Sequence, residues 1–536
     1  MIRIRDISVS LDVPPARYAS LAAKALGVAD REILSCRLFR RSVDARKRDN
    51  VHFTLTLDVA LRADEALVLR RARCDKAQLL APCAPRSVPV VSLPATHPRP
   101  LVVGCGPAGL FAALTLAQAG LRPLLLERGK DAAARAQDIH SFQAGGPLCA
   151  QSNIAFGEGG AGMFSDGKLN TGIKDPRCRT VLEALAQAGA PEEILWQARP
   201  HVGTDRLTAA VVAIRERIKR LGGEIRFQTC LSDLVAQDGA LRAVRTRAAD
   251  GSEDEFACEL LLLAAGHSAR DTFEMLLSRG VPMAAKPFSI GVRAEHPQRL
   301  IDRAQYGQFA GHPALGAADY HLSTHLQNGR GVYSFCMCPG GEVVAAASEP
   351  GGVVTNGMSR FARDGENANA ALLVDVRPED FGSEGPLAGV AFQRRWEREA
   401  FRCGGGAYHA PAQRMEDFLA LRESSSLGSV RATYLPGVVP ADLRACLPPF
   451  ACESLREGIR AFACRIRGFD LPDAVLTGVE TRSSSPVRIL RAPNGQSTGL
   501  RGLFPVGEGA GYAGGILSSA VDGIRQAENA LAWLSS

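Results

Sequence analysis

Residues 100–120 read PLVVGCGPAGLFAALTLAQAG, and this stretch decides the fold. The apolar run Leu101-Val102-Val103 predicts a short buried strand. Leu110, Phe111, Leu114 and Ala117 then recur at helical spacing on one face. Pro107 suits the first helical position, and Gly120 suits the stop. Leu124-Leu125-Leu126 predicts a second strand that ends at Glu127. Strand, glycine turn, helix, strand and acid follow one another in the order that a dinucleotide site requires.

The spacing has a physical reason. Gly104 permits the tight turn, Gly106 lets the backbone approach a pyrophosphate, and Gly109 lets the helix lie close to the strand. Pro107 and Ala108 open the helix, whose unpaired N–H groups and positive dipole end attract the pyrophosphate charge. Glu127, 18 residues beyond Gly109, is placed to accept hydrogen bonds from a ribose diol, with Arg128 beside it. A carboxylate there repels a 2′-phosphate, which favours FAD or NAD over NADP. Gly157-Glu-Gly-Gly-Ala-Gly162 also matches GxGxxG, but Met163-Phe-Ser-Asp-Gly-Lys168 follows it, so no second nucleotide fold is expected there.

The surrounding composition is that of a globular protein: 536 residues, 46% hydrophobic and 22% charged, with room for two or three domains. Of the net charge of +7, residues 1–100 hold 18 Lys/Arg against 10 Asp/Glu, so the basic character belongs to the front and the rest is near neutral. No run approaches the ~18 apolar residues of a membrane span. Met1-Ile-Arg-Ile-Arg-Asp has no apolar signal core. The 14 cysteines are scattered without a CxxC, and Cys336 and Cys338 form the closest pair. Reduced thiols, a cytoplasmic location and no metal site are expected.

Residues 1–95 predict a small basic β-α-β-β domain. Its strands are expected at Ile2 to Leu11, Ile33 to Leu38 and Val51 to Val59. Arg37, Arg40, Arg41, Arg46, Lys47 and Arg48 then fall between the last two strands. Residues 37–48 would offer RNA or another acidic partner a basic loop; a solvated loop without interleaved aromatics is the plainer reading. Residues 81–100 carry six prolines and predict a stiff linker.

Residues 96–290 read as the first part of a nucleotide domain. Its long Gly/Ser/Asn-rich loop, residues 143–173, is of a kind that is usually functional. Gly160, Gly162, Ser165, Gly167 and Lys168 are expected at the ligand, as is Gly266 at the carboxyl end of the strand from Leu260 to Ala265. Residues 291–474 switch to short strands with one amphipathic helix through Leu455, Ile459, Phe462 and Ile466, an inserted domain. Residues 475–536 return to the first pattern. Gly507-Glu508 forms a turn, and Gly514-Gly515 precedes a helix from Ile516 to Leu534. A second glycine-fronted helix suits a ligand longer than the ADP half. Glu508 suits ribityl hydroxyls, and the helix start suits the flavin N1/O2 edge. The fold class is therefore α/β: a discontinuous Rossmann-like domain, an inserted α+β substrate domain and the small N-terminal domain.

Five stretches carry a family likeness: Val103 to Gly109, Phe156 to Leu169, Ala264 to Arg270, Ile290 to Pro297 and Gly507 to Ile516. Together they resemble bacterial FAD-dependent dehydrogenases of the glutathione-reductase-like flavoprotein superfamily, over nearly the whole chain. The resemblance implies extended FAD in a domain interrupted by a substrate domain. Its usual Gly-Asp near the C-terminus is Gly507-Glu508 here. With no CxxC and no second complete Rossmann fingerprint, neither a disulfide-reductase cycle nor a dedicated NAD(P)H domain is expected. The electron donor or acceptor stays open.

A flavin enzyme needs a positioned acid or base beside a small-molecule substrate. The catalytic candidates are Lys168 and Asp166 in the glycine loop and Arg293 at the domain junction, as a carboxylate anchor or a structural partner of Glu295. Glu295, His296, Tyr333 and His409 are further candidates. Cys336 and Cys338 read as strand packing. Two alternatives stand beside the enzyme reading: a non-catalytic flavin-binding redox sensor, and a flavoenzyme acting on RNA through the basic front.

Overall fold

The computed structural model describes every residue except 73, 82–87 and 95, so part of the expected linker lies outside the described residues. β1 (Ile2–Val9), α1 (Tyr18–Leu26), β2 (Ile33–Asp44), β3 (His52–Leu61), α2 (Glu65–Arg71) and β4 (Ala77–Leu79) open the chain. They make an antiparallel four-stranded sheet in the order β2-β3-β1-β4. Alternation along β3 buries Phe53, Leu55, Leu57, Val59 and Leu61 on one face. α2 and β4 extend the expected β-α-β-β. β2 pairs as far as Asp44–His52, so Arg37, Arg40 and Arg41 lie in a strand, not in a loop. Ile2, Leu55 and Leu57 join one buried cluster with Val292, Leu372 and Phe462, so the N-terminal sheet shares its core with the later sheet.

The nucleotide pattern of β5 (Leu101–Val103), α3 (Pro107–Gln118) and β6 (Leu124–Leu126) then appears where expected; α4 (Ala132–Gln143) and α5 (Arg177–Gln187) are helices not expected there, and α6 (Thr204–Arg220) and β7 (Glu224–Arg226) follow. An antiparallel meander follows, β8 (Thr229–Gln237), β9 (Ala240–Ala248) and β10 (Glu253–Ala257), then β11 (Leu261–Leu263) and α7 (Arg270–Ser278).

The middle of the chain holds β12 (Met283–Ala285), β13 (Phe288–Pro297), α8 (Gln298–Tyr306), β14 (Ser323–His325), β15 (Gly331–Cys338), β16 (Glu342–Ala345), β17 (Thr355–Met358) and β18 (Asn367–Val376). It continues with α9 (Ala388–Cys403), β19 (Ala410–Arg414), α10 (Met415–Leu419), β20 (Val438–Pro440), α11 (Pro449–Ala463) and β21 (Val475–Glu480). The expected boundary at residue 290 falls inside β13. α8 and α9 go beyond the single expected helix. α9 hides its signal because polar Gln393 and Glu397 are among its buried residues.

β22 (Val487–Ile489), β23 (Leu503–Pro505) and α12 (Ile516–Leu534) close the chain. β23 pairs parallel with β11, which completes a five-stranded parallel sheet, β23-β11-β5-β6-β7. A seven-stranded sheet, β14-β15-β18-β13-β21-β19-β20, stands beside it. α3 is buried from Ala108 to Ala117 on every side rather than along one face. The cause is α12: a Cβ at Gly523 would lie 2.2 Å from the Ala108 carbonyl, so small residues let the two helices touch.

Candidate cofactor and substrate site

A cavity of about 720 Å³ runs from the carboxyl ends of β5, β6 and β11 to the inner wall of the seven-stranded sheet. Its first half is built from backbone. The start of α3 (Gly106, Pro107, Ala108) and the start of α12 (Gly514, Gly515, Ile516) both open onto it. A Cβ at Gly266, Gly514 or Gly515 would meet no protein atom within 4 Å, so these glycines line open space rather than a packed contact. Open glycine backbone and two positive helix ends fit the pyrophosphate and flavin of an extended FAD.

Fifteen of the expected cofactor residues line this cavity: Gly104, Gly106, Pro107, Ala108, Glu127, Arg128, Gly160, Gly162, Ser165, Lys168, Gly266, Glu508, Gly514, Gly515 and Ile516. Three do not, and each is a packing glycine. A Cβ at Gly109 would lie 1.8 Å from the Gly104 carbonyl oxygen. Gly167 has a φ of +66° and little room beside Gly203. Gly507 has a φ of +75° and would press on Ala108, while its N–H donates to Asp522.

Glu127 is buried at the end of β6. Its carboxylate accepts from the Cys105 N–H at 2.7 Å, the Gly129 N–H at 2.8 Å and the Gly157 N–H at 3.0 Å. A carboxylate has about four lone-pair sites, so one is left for a ribose hydroxyl. The acid thus stitches together three turns besides facing the cavity. Arg128 stacks over Phe156 and pairs with Asp271 at 2.9 Å.

The glycine loop has an organiser that its own sequence does not advertise. Arg135 of α4 is fully buried and donates to the carbonyls of Asn153, Ile154, Gly157, Glu158 and Gly160. Burial without a directly paired carboxylate lowers its pKa to about 10. No spacing or motif around Arg135 signals this; the residue sits in an Ala-rich helix far from the turn.

The second half of the cavity is built from side chains. Lys168 donates to Asp166 at 2.8 Å and to the Met337 carbonyl. Asp166 also accepts from Arg363 and Ser359. Burial alone would raise the Asp166 pKa; the charges of Lys168 and Arg363 override it and hold it at about 2. Glu508, half-buried at the start of the second glycine turn, accepts from the Gly515 N–H at 3.1 Å, and burial raises its pKa to about 7. His267 lies 3.8 Å from it; burial, with Arg482 and Arg270 nearby, lowers that imidazole to about 3.

Arg293 is not on the cavity wall. It is fully buried, and all five of its donors are used. They go to both oxygens of Glu480, to the Cys336 carbonyl at 2.9 Å, to Asn369 at 3.1 Å and to Asn356 at 2.9 Å. Its carboxylate partner is Glu480 on the neighbouring strand, not Glu295. Glu295 takes only neutral donors, from Thr433 and Asn367. His296 is buried against the Phe469 carbonyl, Tyr333 donates to Ser289, and His409 lies away from the cavity. Cys336 departs from the packing expectation. It is exposed, lines the cavity and has a φ of +41°, where β15 bulges between Phe335 and Cys338. A bulge re-aims a side chain in this way.

Three sequence families match the chain: "FAD-dependent protein, C-terminal domain-like" over residues 287–483, "NAD(P)-binding Rossmann-like domain" over 102–156, and a domain of unknown function over 1–60. A Clostridium beijerinckii protein described as uncharacterized is 47% identical over 529 residues, 98% of each chain. The chain belongs to this family of FAD-dependent proteins. Its fold and its cofactor, FAD, are those of a flavoprotein oxidoreductase family. Solved structures with a similar outline include a flavin-dependent brominase Bmp2 triple mutant (TM-score 0.36, 13% identity, 82% of this chain and 80% of that one). A flavoprotein/dehydrogenase from Cytophaga hutchinsonii gives 0.35 at 12% identity over 82% and 78%. Among the described residues no helix is long and apolar enough to cross a membrane, and no cluster of His, Cys, Asp and Glu is arranged to hold a metal ion.

Proposed function

We propose that the chain is an FAD-dependent oxidoreductase acting on a small organic molecule held between the flavin and the wall formed by β15 and β17. The observation that supports this most is one cavity lined both by the glycine-rich helix starts and by side chains of β15 and β17. Its volume, about 720 Å³, falls within the usual range for cofactor and ligand sites.

In this reading the adenosine ribose lies at Glu127, the pyrophosphate at Gly104 to Ala108, and the flavin between the loop from Gly160 to Lys168 and the start of α12. Bound FAD supplies hydride chemistry. The chain's own residues orient and exclude. Asp166 and the Met337 carbonyl fix the Lys168 ammonium at the cavity wall, where it stabilises negative charge on a substrate. Glu508 and the first amides of α12 sit opposite. The domain limits follow as 1–95, 96 to about 286, about 287–474 and 475–536, with the two nucleotide segments joined through the pairing of β11 with β23.

The test is direct. Purified protein should be yellow with about one FAD per chain, and one of a panel of NADH, NADPH and small acids should bleach it under anaerobic conditions. Lys168→Ala should keep the colour and slow turnover. A yellow protein that no donor bleaches would leave the non-catalytic redox-sensor reading in place of the enzyme.

A further inference from the structure

The hydrogen-bonding inventory of the β15–β17 wall is one-sided. Lys168 has three N–H donors; two are taken by Asp166 and the Met337 carbonyl, and the third has no partner among the described residues. Asn356 accepts from Arg293 and from the Gly357 N–H through its Oδ1. An arginine can only donate, so the amide cannot be flipped, and the Asn356 NH₂ group is the end left without a protein partner. Cys336 offers a further donor, its S–H, on the cavity lining.

The acceptors beside these donors are each engaged by a cation. Both oxygens of Glu480 and the Cys336 carbonyl are bound by Arg293, and the Met337 carbonyl by Lys168. The charges are unequal as well. Lys168 and Arg363 share one carboxylate, Asp166, whereas Glu480 and Arg293 cancel. Among the described residues these groups therefore present free donors, acceptors already engaged by a cation, and an uncompensated positive charge.

We propose that this wall, in the enzyme reading above on which the inference rests, binds the carboxylate of an acidic substrate, with Lys168 and Asn356 as its direct ligands and Arg293 as the residue that positions Asn356 and Cys336. A carboxylate accepts several charge-assisted hydrogen bonds and donates none, so it fits such a surface, whereas the positive charge repels an amine.

The experiment titrates the holoprotein with benzoate and, as a neutral control of the same shape, benzamide. The readout is the change in the visible spectrum of the bound flavin. Benzoate should perturb the spectrum saturably and benzamide should bind about tenfold or more weaker, the difference expected of charge-assisted over neutral hydrogen bonds. Lys168→Met should weaken benzoate about tenfold and leave benzamide nearly unchanged. Asn356→Asp, which turns the free donor end into a charged acceptor, should abolish benzoate binding. Flavin content and spectrum report whether either variant has folded. Yellow protein whose spectrum ignores benzoate, or binds both probes alike, or survives Lys168→Met unchanged, overturns the inference alone. Protein that retains no flavin under any preparation removes the cofactor reading and this inference with it.

Discussion

Two buried arginines show how differently the two halves of the cavity are held. Arg135 gives every hydrogen bond to backbone carbonyls of a single loop and has no carboxylate in direct contact. Arg293 binds Glu480 and groups drawn from three further segments, β15, β17 and β18. Burial pulls both pKa values down, but Glu480 outweighs it for Arg293, which rises, while Arg135 falls to about 10. The cofactor half is thus a shaped backbone with one guanidinium as its pin. The substrate half is a side-chain lattice assembled from distant strands.

This contrast predicts unequal costs. Arg293→Met leaves Glu480 buried without its partner and should cost about 3–5 kcal/mol of stability in urea unfolding. Arg293→Met with Glu480→Leu should recover most of that loss, because removing both charges removes the unpaired one. Arg135→Met strands loop carbonyls but leaves no buried charge without its partner. We expect about 2–3 kcal/mol there, with the flavin released more readily on dilution, since the loop from Gly157 to Gly162 loses its shape. If Arg135→Met proves the costlier of the two, the division into a backbone half and a side-chain half is wrong.

The same division explains what could be read in advance. A nucleotide turn is local: strand, glycines, helix and acid lie within 28 residues, from Pro100 to Glu127, and each obeys a backbone rule. Its members therefore fell on the cavity except Gly109, a glycine used, like Gly167 and Gly507 elsewhere, for close packing. Asn356, Arg482, His267 and Arg135 carry no such pattern. Asn356 matters only because β17 lies within reach of Arg293 on β13, a contact across 63 residues. Arg293 itself was legible as half of a structural ion pair but not as the partner of Glu480, 187 residues away, because strand order in the seven-stranded sheet sets that pairing.

Glu295 sharpens the comparison by chemistry. It lies on the same strand as Arg293 but has only neutral donors, and burial raises its pKa to about 7. An unfolded glutamate titrates near 4.3, so between about pH 4.5 and 7 the folded chain holds a proton that the unfolded chain has lost. The contribution of Glu295 to stability is thus best below that window and declines as pH rises through it. Glu295→Gln should remove the decline, by at most ~1.4 kcal/mol per pH unit. The urea midpoints of wild type and variant should diverge in the variant's favour from pH 5 to pH 8. Parallel midpoints would mean that Glu295 ionises as freely in the fold as outside it.

The smallest effect belongs to the N-terminal sheet. Arg41 of β2 lies over Phe53 of its own domain and over Trp196 of the nucleotide region, at 4.7 and 4.5 Å from the ring centres. Its backbone completes the joint: the Arg41 N–H donates to the Trp196 carbonyl, and the Ala198 N–H donates to the Arg41 carbonyl. The next residue, Arg199, is on the cavity rim, paired with Asp319. The basic stretch from Arg37 to Arg48 is therefore partly spent on internal contacts, with Arg37 at Asp58 and Arg46 at Asp44 as well. Arg41→Ala keeps the backbone pair and loses the stacking, so the expected cost is about 1 kcal/mol. Because the lost contact sits at a joint, the change should show as faster amide exchange at Ala198 with little change in the global unfolding midpoint. Equal loss of protection throughout β5 and β6 would instead make Arg41 a support of the whole fold, and the N-terminal sheet more than an attachment to the rim.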